Sequence, residues 1–122
     1  SHVHHIVSNI KGSIKKNVKP GEILSAVFPG GTITGCPKIR CIEILGELEK
    51  TGRGPYTGSF GYINHNGNLD FNILIRSMVM EHQKISLRAG GGIVADSIPE
   101  KETSETEAKA NAMLKALQNV RM

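Results

Sequence analysis

Tryptophan is absent from the 122 residues, and three Phe and two Tyr are the only other large aromatic side chains. So few rings exclude a surface on which nucleic-acid bases stack, and the basic run Lys11, Lys15, Lys16, Lys19 has no aromatic residue among its lysines. A net charge of +4 is an ordinary surface imbalance, so no nucleic-acid partner is expected. Cysteine is nearly as scarce. Cys36 and Cys41 lie five apart on what reads as one helix and do not face each other, which excludes a disulfide scaffold and a zinc site and fits a reducing, cytoplasmic setting. No apolar run approaches the roughly 20 residues that cross a bilayer, and no signal peptide opens the chain, so no membrane partner is expected. An initiator Met is lacking too. The opening His4-His5-Ile6-Val7-Ser8 reads as a strand already under way, the expectation for a piece of a longer chain.

What is present is a hydrophobic fraction of 39%, enough for the modest core of one compact unit, and 14 glycines gathered in a few places. Pro20-Gly21-Glu22 opens a short apolar helix that stops at Pro29-Gly30-Gly31. Pro37 suits the first turn of a second helix running to about Lys50, with Ile39, Ile42, Leu45 and Leu48 as an apolar stripe packed on one side. Two strand-like runs follow, 56–65 and 68–80. Asn66-Gly67 between them predicts a two-residue type I′ hairpin, which puts Phe60 and Tyr62 on a core face with Leu69, Phe71, Ile73 and Ile75 and leaves Asp70, Asn72 and Arg76 opposite. A turn at 81–84 leads to a third antiparallel strand, 85–89, then to Gly90-Gly91-Gly92. From Pro99 the composition becomes that of a long terminal helix. The predicted class is α+β, an antiparallel sheet packed on helices.

Several residues in this frame carry chemistry. Glu102, Glu105 and Lys109, spaced three and four apart, share one stripe of the terminal helix; such a stripe is an ordinary salt-bridged surface or, beside an anion site, a pair of hard ligands for Mg²⁺. Gly90-Gly91-Gly92 and the turn 28–35 offer backbone N–H groups to an anion, the second just ahead of a helix N-terminus. Arg76 interrupts an apolar strand end, where a buried guanidinium needs an acidic partner or an anionic ligand. Tyr56 adds a hydroxyl at a strand start, where packing is the commoner role.

Taken in order, His5-Ile6-Val7-Ser8, Phe28-Pro29-Gly30-Gly31-Thr32-Ile33-Thr34-Gly35-Cys36-Pro37-Lys38, Arg53-Gly54-Pro55-Tyr56-Thr57-Gly58, Ile73-Leu74-Ile75-Arg76 and Ala89-Gly90-Gly91-Gly92-Ile93-Val94-Ala95-Asp96-Ser97 resemble the chorismate-binding enzymes over essentially the whole chain. That family includes the first components of anthranilate synthase and aminodeoxychorismate synthase, isochorismate synthase and salicylate synthase. The resemblance implies a large α+β fold with two antiparallel sheets flanking helices, of which residues 1–122 are the C-terminal part of a single domain. It also implies chorismate as substrate and Mg²⁺ at the ring carboxylate. Tyr56 and Arg76 match the positions that hold the enolpyruvyl carboxylate. Gly90 and Gly92 match backbone contacts to substrate carboxylates, and Lys109 matches a cation near the ring carboxylate. Thr32 matches a hydroxyl close to the ligand and His5 a histidine beside the reacting ring. Glu105 matches a metal ligand, with Glu102 its acidic neighbour. Where the family usually reads Glu-Tyr-Glu-Glu-Thr this chain has Glu102-Thr103-Ser104-Glu105-Thr106, keeping both outer acids.

Within the family, Pro29-Gly30-Gly31 and Gly90-Gly91-Gly92 are more similar to aminodeoxychorismate synthases, which make 4-amino-4-deoxychorismate for para-aminobenzoate and folate. Anthranilate synthases usually show Phe-Pro-Ala-Gly-Thr and Gly-Ala-Gly at these places. Either membership implies ammonia from a glutamine amidotransferase subunit. A chorismate-binding piece without catalysis is the other reading, since the family's second Mg²⁺ ligand, general acid and Pro-Ile-(Lys/Ala)-Gly segment are expected upstream of residue 1. The isolated chain is accordingly expected to be inactive, and to self-associate through apolar surface.

Overall fold

The structure is a computed structural model that describes residues 7–119. The strand expected at 4–8 lies mostly outside them, and Val7 and Ser8 belong to no element. Helix α1, Pro20–Val27, begins on a proline whose missing N–H is not needed there, and the Glu22 carboxylate accepts the Lys19 backbone N–H at 2.7 Å, closing the open first turn. A single turn, α2 (Gly31–Thr34), occupies the expected loop. Helix α3, Lys38–Leu48, follows Pro37 directly. The terminal helix α4, Pro99–Gln118, again has proline at its start, with Glu100 and Glu102 in its first turn where the macrodipole favours acidic groups.

Between α3 and α4 the chain forms two separate hairpins. Strands β1 (Gly61–Ile63) and β2 (Leu69–Phe71) pair antiparallel, as do β3 (Met78–Glu81) and β4 (Lys84–Leu87). The α+β class and the antiparallel pairing are as predicted, but the continuous strand expected over 68–80 is broken. The break contains Arg76, whose φ of 52° is left-handed and ends any ladder there.

The first hairpin corrects the predicted register. Asn64 and Asn68 close it through Asn64 N–H to the Asn68 carbonyl at 2.7 Å, so the loop holds three residues, with Gly67 at φ 84° in the left-handed position. Pairing of Gly61 with Phe71, Tyr62 with Asp70 and Ile63 with Leu69 follows. A shift of one residue turns each side chain to the other face. Phe60 and Tyr62, assigned to the core from sequence, therefore share a face with Asp70 and Asn72 and are 72% and 57% exposed, while Leu69 and Phe71 are half-buried beside Gly61 and Ile63. The ladder continues irregularly towards the helices: Asn72 donates to the Phe60 carbonyl, Leu74 to Gly58 and Thr57 to Leu74, at 2.8 to 3.0 Å. The second hairpin turns on His82 and Gln83, both at positive φ, so the I′ geometry expected at Asn66-Gly67 occurs here without a glycine.

Met113 of α4 is the one buried hydrophobic residue among those described. The α3 stripe does not pack as predicted: Leu45 is half-buried, but Ile39 and Leu48 are 76% and 72% exposed. Periodicity identified an apolar face without saying what lies against it. No described helix is long and apolar enough to cross a membrane.

Candidate substrate cleft

A cleft of 350 Å³ opens where α2, the C-terminal half of α3, the 53–57 turn, the 75–76 break, the Ala89–Gly92 loop and α4 meet. Ile33, Leu45, Ile75 and Met113 supply its apolar surface, and the polar groups come from every side. Six of the residues singled out in the sequence line it: Thr32, Tyr56, Arg76, Gly90, Gly92 and Lys109. They come from five segments spread over 78 positions of the chain, so the fold assembles them rather than local sequence.

Tyr56 and Gly90 approach closely. A Cβ built on Gly90 would stand 3.0 Å from the Tyr56 hydroxyl, so any side chain there would press the phenol aside by a few tenths of an ångström. Gly91 is similarly crowded, with the Glu102 carboxylate 3.2 Å and the Lys109 ammonium 3.8 Å from the position a Cβ would take. The glycine loop thus lies against Tyr56 on one side and α4 on the other. Lys109 ties the second contact, donating to the Gly90 carbonyl at 3.3 Å while its ammonium sits 2.6 Å from Glu105 Oε1.

Arg76 lines the cleft from an exposed left-handed bend rather than from the buried strand end predicted for it. Exposure removes the desolvation argument made for it from sequence and leaves the cleft position. Of the turn 28–35, read from sequence as an anion cradle, Thr32 and Ile33 line the cleft, whereas α3 reaches it through Leu45 and through Glu49 just beyond its C-terminal end rather than through its N-terminus. Asp70 and Asn72, read from sequence as the polar face of the hairpin opposite the core, are exposed and lie outside the cleft lining. His5 lies outside the described residues.

Glu102 and Glu105 flank the cleft without lining it. The Ser97 hydroxyl donates to Glu102 Oε1 at 2.7 Å and accepts the Val94 N–H at 3.0 Å, so Glu102 is held at the start of α4. Among the described residues no three His, Cys, Asp or Glu side chains converge as a closed metal cage. Two carboxylates with oxygens to spare, beside a cleft open to ligand and water, are a donor set that fits Mg²⁺, which keeps several waters and takes few protein ligands.

Two arginines at the cleft were not among the residues singled out. Arg53 forms a fork on Glu49, with Nε to Oε2 at 2.8 Å and Nη2 to Oε1 at 2.6 Å. Arg88 donates to the Gly52 carbonyl at 2.7 Å and the Thr51 hydroxyl at 3.0 Å, tying the 51–57 turn to the end of β4. The available signals were an arginine just ahead of Gly54-Pro55-Tyr56 and another at the door of Ala89-Gly90-Gly91-Gly92.

Hydrogen bonding from Arg53 holds the Glu49 carboxyl below the ordinary carboxylate range, and the same fork raises Arg53. Because the folded-state pKa of Glu49 is lowered, the stability it contributes is complete above the usual carboxylate range and is lost as pH falls through the lowered value. Both side chains are partly solvated, so the pair contributes roughly 1 kcal/mol. Glu49→Gln is expected to lower thermal stability by that amount at neutral pH and to flatten part of the loss seen on acidification, measured as unfolding temperature against pH.

A family model described as chorismate binding enzyme matches residues 1–115. The chain is 48% identical over 118 residues to anthranilate synthase component 1 of Acetivibrio thermocellus, 97% of this chain and 24% of that protein. It is 50% identical over 120 residues to an anthranilate synthase component I-like protein of Synechocystis sp., 98% of this chain and 25% of that one. To aminodeoxychorismate synthase component 1 of Bacillus subtilis it is 48% identical over 118 residues, 97% and 25%. The chain spans about a quarter of the length of these relatives. With the match covering nearly every residue, and the cleft drawing together side chains from both halves of the matched stretch, the chain belongs to the chorismate-binding enzyme family.

Proposed function

We propose that this chain supplies the carboxylate-holding side of a chorismate site in an ammonia-using synthase, and that the reaction is amination at C4. The observation that carries this reading is the meeting of Tyr56, Arg76, Lys109 and the glycine loop in one cleft, four kinds of anion donor around an apolar floor. Chorismate is a dicarboxylate on a six-membered ring, and such a ligand needs two separated anion-binding places with apolar contact between them. Tyr56 and Arg76 form one place, a phenol and a planar guanidinium suited to a carboxylate's two oxygens. Gly90, Gly92 and Lys109 form the other, and Thr32 adds a hydroxyl at the rim.

Glu105 and Glu102 would hold Mg²⁺ beside the second place. When bound there the ion offsets the ring carboxylate's charge and draws electron density from the ring. The chain's own residues fix the substrate: they hold both carboxylates, and the apolar wall of Ile33, Leu45, Ile75 and Met113 excludes water from the ring face. In the overall reaction ammonia replaces the C4 hydroxyl, which leaves as water, and the enolpyruvyl ether is retained. An amidotransferase partner supplying ammonia from glutamine belongs to this reading.

Gly30-Gly31 and Gly90-Gly91-Gly92 favour C4 amination. Anthranilate synthesis is the second reading, favoured by the names of relatives such as those of Acetivibrio thermocellus and Aquifex aeolicus, each 48% identical to this chain. It adds ammonia at C2, with the C4 hydroxyl leaving as water, and then releases pyruvate. Incubating the full-length protein that carries this chain with chorismate, ammonia and Mg²⁺ separates the two. The expected product is 4-amino-4-deoxychorismate with no pyruvate; equimolar anthranilate and pyruvate would replace the first reading by the second, and no consumption of chorismate would leave only a binding role.

A further inference from the structure

We propose that Arg53 is a positioning residue that sets the Tyr56 phenol over Gly90, an inference that rests on Tyr56 holding a substrate carboxylate. The guanidinium makes three kinds of contact at once. It forks onto Glu49 at the end of α3, donates from Nη1 to the Thr57 hydroxyl at 3.3 Å, and lies 5.8 Å from the centre of the Tyr56 ring. A cation at that distance from a ring is attracted to it, and the fork fixes the plane of the guanidinium, so the ring has a fixed surface to lie against.

Backbone geometry explains why such a clamp is needed. Tyr56 sits in a tight turn, its N–H bonded to the Arg53 carbonyl at 3.2 Å, and Thr57 follows at φ 66°, a left-handed conformation that a threonine adopts only when its surroundings impose it. The Thr57 hydroxyl donates to the Tyr56 carbonyl at 2.5 Å and accepts from Arg53, so the arginine braces the strained residue as well as the ring. Arg53 is itself half-buried, with its side chain 22% exposed, and lines the cleft. Lysine would keep the charge but not the fork.

Kinetics of the full-length protein with chorismate, ammonia and Mg²⁺ test this through a double-mutant cycle. Arg53→Lys is expected to raise the KM for chorismate about tenfold with kcat within about twofold, the pattern of a lost binding contact. In a Tyr56→Phe background, the same change is expected to raise KM by less than about twofold, because the hydroxyl that Arg53 positions is gone. Multiplying effects would show that Arg53 supports the fold without acting through Tyr56, and would overturn the inference while the Tyr56 assignment stands. An unchanged KM in Tyr56→Phe alone would sink that assignment and the inference with it. If Arg53→Lys does not fold, Glu49→Gln, which replaces one of the fork's two acceptor oxygens by an amide donor, must show the same coupling to Tyr56→Phe; additivity there overturns the inference equally.

Discussion

Glu105→Gln is expected to lower chorismate turnover by about 100-fold or more, and to raise the Mg²⁺ concentration needed for half-maximal activity. The substitution keeps the size and shape of the side chain, so any loss follows from the missing charge. Glu105 faces two cations in this reading, the Lys109 ammonium at 2.6 Å and the bound metal. A 57% exposed side chain in water gains little from one lysine, so the ion pair alone does not account for a hundredfold effect. Lys109→Met separates the two roles. It removes the donor to Gly90 and is expected to raise the chorismate KM without moving the Mg²⁺ dependence. Full activity in Glu105→Gln would remove the metal from this site. A loss in Glu105→Gln that Lys109→Met reproduces, with unchanged Mg²⁺ dependence, would reassign Glu105 to orienting Lys109.

Helices were the most legible part of the sequence because their starts carry local chemistry. Pro20, Pro37 and Pro99 each stand within a residue of an observed helix start, since proline fits where no N–H is needed. The hairpin was legible only in part. Asn66-Gly67 satisfies both a two-residue loop and a three-residue loop with a left-handed glycine, and the two differ by one residue in register. Contacts distant in sequence decide between them: the Asn72 side chain accepts the Phe60 N–H at 3.1 Å, and the Ser59 hydroxyl donates to the Asn72 carbonyl at 2.6 Å. Six of the nine proposed site residues line one cleft and two more flank it, a convergence that the matched motifs implied and that spacing alone did not show. Arg53 and Arg88 escaped notice for a physical reason. Their roles lie in what they grip, Glu49, Gly52 and Thr51, and a charged residue in a glycine-rich turn looks like solvent-facing polarity until its partners are placed.

Gly61→Ala is expected to destabilise the protein by about 3 kcal/mol, measured as the midpoint of urea unfolding, and to weaken chorismate binding at a distance. Gly61 pairs with Phe71 across the β1–β2 ladder, and a Cβ there would overlap the Asp70 carbonyl and stand 2.7 Å from the Phe71 ring. Backbone cannot move aside as a flexible side-chain end does, so the strands must separate or slip. That disturbance has a route to the cleft. The same ladder runs on through Phe60–Asn72 and Gly58–Leu74 to the Thr57 N–H on the Leu74 carbonyl, one residue from Tyr56 and two from Arg76. Parting the strands therefore shifts the phenol and the guanidinium relative to each other, and both are assigned to the same carboxylate. Gly67→Ala is the control. It strains a residue at φ 84° at the free tip of the hairpin, where no atom lies within 4 Å of the added methyl, and is expected to cost about 1 kcal/mol with no change in chorismate KM. Equal effects of the two variants on KM would show that the cleft depends on hairpin stability in general; an effect confined to Gly61→Ala shows that the ladder itself sets the spacing of Tyr56 and Arg76.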